Sequence, residues 1–150
     1  METYEQKKRR LFGKQYLPQY LEELNKILKI NVDATNLLSI VETDGIRQHI
    51  LAKELKYATK ILFAQKEKLK EMIFNNIERK NDNYYIFTSY SNDCGTLKIN
   101  LLQDFNFNFS FEDEHVGLIT FTREDLFEKI ILDFYEENKI QYLDIEILHK

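Results

Sequence analysis

The chain has 150 residues, of which 43% are hydrophobic and 31% charged, a composition typical of one globular domain and not of a disordered chain. A single cysteine excludes an intramolecular disulfide, and no apolar run approaches the roughly 18 residues of a membrane span. Residues 1–80 carry a net charge of +5 and residues 81–150 one of −9, so the second half should repel nucleic acid and attract basic protein surfaces. Without a secretory signal or membrane segment, we expect a cytoplasmic protein.

The first residues of the chain predict helices. Residues 17–28 place leucines and isoleucines at spacings of three and four, and Pro18 is tolerated in a first helical turn. The residues up to Gly13 are expected to form a separate helical arm. A short helix is also predicted over residues 35–41, with Asp33 or Thr35 as its N-cap.

A long helix is predicted from about residue 46 to residue 78. Its apolar stripe consists of Leu51, Leu55, Ala58, Leu62, Leu69, Met72 and Ile73. Such a helix would be on the order of 50 Å long, which exceeds the usual globular helix, so we expect a kink or break within it. Its charged face would carry Lys53, Lys56, Lys60, Lys66, Lys68 and Lys70.

Beyond residue 80 the pattern changes to strands, since β-branched and aromatic residues replace the helical spacing. Residues 91–95 are predicted as a turn, and the acidic residues 112–114 with His115 as a charged loop. Strands are predicted over residues 84–90, 96–101, 105–111 and 116–121.

The last segment allows two interpretations. Residues 123–147 fit a helix begun by Thr122, or a hairpin with its turn at residues 136–139. In the hairpin the inward positions are Ile130, Leu132, Phe134, Leu143, Ile145 and Ile147. The hairpin is preferred because Asp133, Tyr135, Tyr142, Asp144 and Glu146 then all lie on the outer face. In either case we expect an α+β protein of one domain over residues 1–150, with a helical layer of about 1–80 packed on an antiparallel sheet of about 81–150.

Catalytic and cofactor motifs are sparse. Cys94 and His115 form the one conceivable nucleophile and base pair, and no third group is marked to orient them. His49, His115 and His149 are scattered, and the acidic triplet at 112–114 lacks the spacing of a calcium loop. No glycine-rich phosphate loop is present. We therefore expect a protein that is not an enzyme, with no metal and no cofactor.

Two surfaces are candidates for binding. Lys7, Lys8, Arg9 and Arg10 form a basic tetrad that could contact nucleic acid, although a solvated helix start explains it more simply. On the hairpin, acidic and tyrosine side chains would share the outer face and suit docking on a basic protein. The candidate interface residues are Asp133, Tyr135, Glu136, Glu137, Tyr142, Asp144 and Glu146.

Residues 84–147 contain motifs similar to those of a known family. The motifs are Tyr84-Tyr85-Ile86-Phe87, Asp93-Cys94-Gly95, the segment from Gly117 to Asp125, the segment from Leu132 to Glu137, and Asp144-Ile145-Glu146-Ile147. They resemble the YxiF-like small immunity proteins that accompany polymorphic secreted toxins of low-GC Gram-positive bacteria. The resemblance implies a cytoplasmic antitoxin that binds and blocks the toxic domain of a cognate effector. The alternative hypothesis is a nucleic-acid-associated regulator that uses the basic tetrad.

Overall fold

The structure, a computed structural model, describes residues 1–111 and 117–150 and has an α+β fold, as predicted. In the described part of the chain the helices are α1 (Tyr4–Gly13), α2 (Leu17–Ile27), α3 (Ile40–Gln48), α4 (Leu69–Phe74) and α5 (Ser91–Cys94), and the strands are β1 (Glu54–Leu62), β2 (Tyr84–Phe87), β3 (Leu97–Ile99), β4 (Leu118–Arg123), β5 (Glu128–Glu137) and β6 (Ile140–His149). Short 3₁₀ segments span Ala34–Asn36, Phe63–Lys68 and Leu102–Asp104. The strands form one antiparallel sheet in the order β1-β6-β5-β4-β2-β3.

The first helices follow the sequence prediction. Thr3 and Gln6 form a capping box that starts α1, which is the expected arm ending at Gly13. Pro18 lies in the first turn of α2, where its missing N–H costs nothing. The predicted helix over residues 35–41 is replaced by the Ala34–Asn36 turn, and Ser39 then caps α3.

The predicted long helix over residues 46–78 is wrong. Helix α3 ends at Gln48, and residues 54–62 form strand β1, which pairs along its length with β6. The leucines that suggested a helical stripe, Leu51, Leu55 and Leu62, are all exposed, whereas Tyr57, Thr59 and Ile61 are the half-buried positions of this edge strand. The sheet therefore takes one strand from the N-terminal half of the chain.

The C-terminal hairpin is confirmed, and the helical alternative for residues 123–147 is wrong. Strands β5 and β6 pair from Glu128↔His149 to Glu137↔Ile140, and Asn138 and Lys139 form the turn with positive φ angles of 54° and 65°. Two left-handed residues match the right-handed twist of the strands. The six apolar positions predicted to point inward are each at most 3% exposed.

The aromatic segment 105–111 packs as core but is not the predicted strand. Phe105 makes one isolated bridge to Leu28, and the residues after it join no strand. Alternate side chains nevertheless point into the core, where the Phe105 ring lies 4.9 Å from that of Phe121. The charged loop predicted over 112–115 and the first residue of the strand predicted over 116–121 lie outside the described residues.

The two faces of the sheet are covered differently. One face meets α2, α4 and the aromatic segment around a continuous apolar core. The other face is covered near β2, where the Arg47 guanidinium lies 4.9 Å over the buried Phe87 ring. Gly95 makes this corner possible, because its φ of +92° and the nearby Leu38 carbonyl oxygen exclude a side chain. Along the β5–β6 hairpin the second face carries half-buried and exposed side chains.

Candidate protein-binding surface

Six of the seven predicted interface residues share the outer face of the β5–β6 hairpin. We call these six the hairpin face: Asp133, Tyr135, Glu137, Tyr142, Asp144 and Glu146. They alternate with the buried residues of the same strands, as a period of two requires. The seventh, Glu136, pairs with Gln141 in the opposite phase, so it starts on the other face, although it is exposed near the turn.

Two carboxylates oppose each other at the centre of this face. Asp133 lies directly across the hairpin from Asp144. Burial raises the pKa of Asp133, and the charge of Asp144 raises it further. Like charges at directly opposed positions destabilise an antiparallel pair, so the fold gains nothing from this arrangement.

A tyrosine pair lies beside the two carboxylates. Tyr135 and Tyr142 are cross-strand partners whose ring centroids are 5.7 Å apart, with a tilt of 34°. The Tyr135 hydroxyl donates a hydrogen bond to Asp144 Oδ1 at 3.1 Å, which fixes both side chains. Tyrosines held in this way provide large contact area and have little conformational entropy to lose on binding.

Strand β1 brings an unexpected cation to the hairpin face. Lys60 pairs with Asp144, and its ammonium lies 4.2 Å from the Tyr142 ring centroid and 5.5 Å from that of Tyr135. A hydrogen bond with Tyr135 raises the pKa of Lys60, and the charges of Asp144 and Glu137 add to this shift. The sequence prediction missed this contact because it placed Lys60 on a helix.

Apolar side chains surround the acidic positions. Leu118 lies opposite Asp133 and is 49% exposed, and Leu62 lies opposite Tyr142 and is 43% exposed. Ile140, at the end of the hairpin, is 45% exposed. The surface therefore combines carboxylates with apolar and aromatic contact area, as the rims and centres of protein interfaces do.

A second group of charges, which sequence reasoning missed, lies at the other end of β5. We call it the ionic cluster: Lys56, Glu78, Arg123, Asp125 and Glu128. Arg123 is 1% exposed and Glu128 0% exposed. One feature of the sequence could have indicated this cluster. Glu128 is a charged residue two positions before Ile130, so it occupies an inward-facing position of β5 and requires buried partners.

Arg123 holds the ionic cluster together. Its Nε donates to Asp125 Oδ1 at 2.9 Å, and its Nη1 lies 3.5 Å from Glu78 Oε2 and 3.8 Å from Glu128 Oε1. The Glu78 backbone N–H points to both carboxylate oxygens of Glu128, at 3.3 Å each. Burial raises the pKa of Glu128, against the lowering effect of that N–H and of Arg123.

A cavity of about 340 Å³ opens beside this cluster. Its charged lining is already paired, since Arg79 lies 3.5 Å from Asp82 and 3.6 Å from Asp125. Asn83 Nδ2 also donates to Glu124 Oε2 at 2.6 Å. These contacts tie the loop before β2 to the end of β4, which is a structural role.

Glu23 is a third buried charge. It is 9% exposed on α2, and within residues 1–111 and 117–150 neither of its carboxylate oxygens has a hydrogen-bond partner. Burial raises the pKa of Glu23 to about 7, and the Thr88 hydroxyl, which lies near the carboxylate but not in hydrogen-bond geometry with it, acts in the opposite direction. At neutral pH the folded protein therefore holds this side chain partly protonated.

Two of the four side chains of the basic tetrad form ion pairs within the protein. Arg9 donates to both carboxylate oxygens of Asp44, at 2.9 and 2.7 Å, which attaches α1 to α3. Arg10 makes a similar pair with Glu2, at 2.8 and 3.1 Å. Lys7 and Lys8 are exposed. The electrostatic footprint available for nucleic acid is therefore smaller than the sequence suggests.

Cys94 is placed where its thiol is poorly activated. Its Sγ donates to the Gly13 carbonyl oxygen at 3.3 Å, and the side chain is half-buried. Burial and the adjacent Asp93 raise the pKa of Cys94 to about 11, so the nucleophilic thiolate is scarce at neutral pH. The thiol lines a groove of about 250 Å³ with Leu17, Leu37 and other residues of α1, α3 and α5. His115, its predicted partner, lies outside the described residues.

The other histidines are separate from each other. His49 Nδ1 lies 2.7 Å from the Gly45 carbonyl oxygen, and His149 ends β6. Within residues 1–111 and 117–150, no group of three or more His, Cys, Asp or Glu side chains is arranged to hold a metal ion. In the same ranges, no helix has both the length and the apolar character needed to cross a bilayer.

Comparison of the chain with protein-family models, with curated proteins and with solved structures gave no match in any of the three. The motifs that resemble YxiF-like proteins lie on β2, α5, β4 and the hairpin, so they lie on the sheet and at its α3–α5 corner. Membership of that family remains a prediction from the sequence.

Proposed function

We propose that this protein is an immunity protein that neutralises a cognate secreted toxin by binding its toxic domain through the hairpin face. The observation that carries the proposal is the opposition of Asp133 and Asp144 beside an ordered tyrosine pair, on a sheet face whose side chains along the hairpin are half-buried or exposed. A like-charged pair that weakens the fold is explained if a basic partner compensates it.

The chemistry of the partner follows from the surface. Carboxylates attract a surface rich in lysine and arginine, such as the active site of an enzyme that acts on nucleic acid or another polyanion. The tyrosines and exposed Leu118 supply the apolar contact area that gives such an interface its affinity. Charge then governs the rate of encounter, and the rings govern the lifetime of the complex.

The alternative function, regulation through nucleic-acid binding by the basic tetrad, has less support. Arg9 and Arg10 are each held in a bidentate pair with a carboxylate of the same chain. Contact with phosphates would require these pairs to be exchanged. A gel-shift assay at low salt tests this alternative directly, and binding that disappears when all four residues become alanine would favour it.

Co-expression tests the immunity proposal. The gene is expressed together with the nearest reading frame in its genome that encodes a candidate toxin, and growth and co-purification are measured. We expect rescue of growth and a stable complex. A matched strain carries Asp133→Lys and Glu146→Lys, which should rescue less well, and a third carries Glu22→Lys and Glu71→Lys on the helical side. If the wild-type chain neither rescues growth nor forms a complex, the proposal that it neutralises this toxin is refuted.

A further inference from the structure

The hairpin face already holds a cation. The Lys60 ammonium lies 4.2 Å from the Tyr142 ring centroid and 5.5 Å from the Tyr135 centroid, within the range of a cation–π contact. The Tyr135 hydroxyl donates to Asp144 Oδ1, so a carboxylate is fixed beside the two rings. We define the cage as the rings of Tyr135 and Tyr142, over which the ammonium lies, together with the Asp144 carboxylate that the Tyr135 hydroxyl holds beside them.

The carboxylates around this cage carry more negative charge than the single ammonium of Lys60 neutralises. Asp133 lies directly opposite Asp144, and Glu146 follows two residues later on β6. Lys60 is the cross-strand partner of Asp144, and the charges of Asp144 and Glu137 both act on its ammonium. An incoming lysine or arginine side chain would reduce the repulsion between Asp133 and Asp144.

The Lys60 ammonium can also move out of the cage. It is exposed and lies on β1, the strand at the edge of the sheet. Its four-carbon stem allows the ammonium to swing into solvent without a change of the backbone. The cation–π part of this contact favours the seated position by about two- to fivefold, in addition to the hydrogen bond with Tyr135.

We propose that Tyr135, Tyr142 and Asp144 form a cation-binding cage that Lys60 occupies in the free protein and that a lysine or arginine side chain of the bound protein takes over. This inference deepens the proposed function and rests on it for the identity of the partner. Lys60 then acts as an internal competitor, which fills the cage in the free protein and lowers its affinity for unrelated basic surfaces.

A tetraarginine peptide provides a probe that does not depend on the toxin. Its binding is followed at low ionic strength by the NMR signals of the tyrosine rings in the wild-type chain, in Lys60→Gln and in Lys29→Gln. The two variants change the net charge equally, but Lys29 is an exposed residue just beyond α2, on a different element from the cage. We expect Lys60→Gln to bind the peptide about two- to fivefold more tightly than Lys29→Gln does.

A second variant shows whether the rings cause the gain. Adding Tyr142→Leu to Lys60→Gln should return the affinity to that of Lys29→Gln, because the main ring of the cage is gone. Equal affinities of Lys60→Gln and Lys29→Gln, or no saturable shift of the tyrosine signals in Lys60→Gln, would overturn the cage. Either result leaves the co-expression test unaffected, and failure of that test leaves the peptide result unaffected, so the two proposals fail separately.

Discussion

Strand β5 begins in the ionic cluster and ends in the hairpin face. A buried, paired charge lies at its first end, and exposed charges lie at its second. Glu128, its first residue, is fully buried and meets Arg123, Lys56 and a backbone N–H. Asp133 and Glu137, farther along, are exposed, and Asp133 faces another carboxylate. A buried charge requires partners of opposite sign, whereas an exposed surface tolerates like charges at small cost. The first arrangement serves the fold, and the second leaves its charge available to a partner.

Loss of Arg123 should have the largest effect. Arg123→Met leaves Glu128 buried without its main counter-charge, so we expect the free energy of unfolding to fall by about 3–5 kcal/mol. Urea denaturation at neutral pH measures it. The double variant Arg123→Met/Glu128→Leu should recover much of the loss, since the buried carboxylate that has lost Arg123 is then removed as well.

The matched control for Arg123 is a pair on the surface. Lys98 lies 3.7 Å from Glu124, and both side chains are more than 40% exposed. Lys98→Met should therefore cost less than about 1 kcal/mol. If Arg123→Met and Lys98→Met destabilise the protein equally, the distinction between buried and exposed charge drawn for β5 does not hold.

Glu23 tests the same rule in the helical layer, because this buried carboxylate has no hydrogen-bond partner in the described part of the chain. Its folded pKa of about 7 exceeds the ordinary value of 4.5, so the folded state binds the proton more tightly than the unfolded state. The resulting stability is complete below pH 4.5 and is lost as the pH rises through 7. Between pH 5 and pH 8 this group should lower the free energy of unfolding by roughly 2 kcal/mol.

Glu23→Gln should remove that pH dependence. We expect the variant to be more stable than the wild type at pH 8 and similar to it near pH 5, because glutamine does not ionise. Thermal or urea unfolding across this pH range measures the difference. Glu22→Gln, on the exposed side of the same helix, is the control and should leave the slope unchanged. A wild-type slope that survives in Glu23→Gln would refute the assignment.

The smallest expected effect on stability is at the hairpin face, where a substitution should stabilise the protein. Asp133→Asn removes the repulsion with Asp144, so we expect the free energy of unfolding to rise by about 0.5 kcal/mol. The same change should weaken binding to the partner. A variant that gains stability while losing affinity would show that the carboxylate is kept for binding, and a loss of both would show that Asp133 supports the fold.

The hairpin was predictable and strand β1 was not, for a physical reason. Along β5 and β6 one face is buried and the other is not, so apolar and polar residues alternate clearly. Strand β1 is at the sheet edge, and its residues are half-buried or exposed. Tyr57, Thr59 and Ile61 do alternate with exposed residues, but the leucines at 51, 55 and 62, which are all exposed, produced a false helical spacing that hid this period of two.

Part of the candidate site was likewise predictable from the sequence and part of it was not. Its carboxylates and tyrosines were found because they alternate with core residues on one hairpin. Lys60, which completes the surface, was missed because it arrives from a strand far away in the sequence and its contact depends on the pairing of β1 with β6. Glu136 was assigned to the face by its charge alone, although its position in the register places it on the other side.

The central claim, that the hairpin face binds a basic partner, is tested most directly by association kinetics. The rate constant for binding the toxic domain of the candidate toxin is measured over a range of salt concentrations for the wild type, for Asp133→Lys/Glu146→Lys and for Glu22→Lys/Glu71→Lys. We predict that the first variant slows association by about tenfold or more at low salt, with a difference that shrinks as salt is added. The helical-side variant should stay close to the wild type. Equal rates for both variants, or a larger effect on the helical side, would contradict the claim.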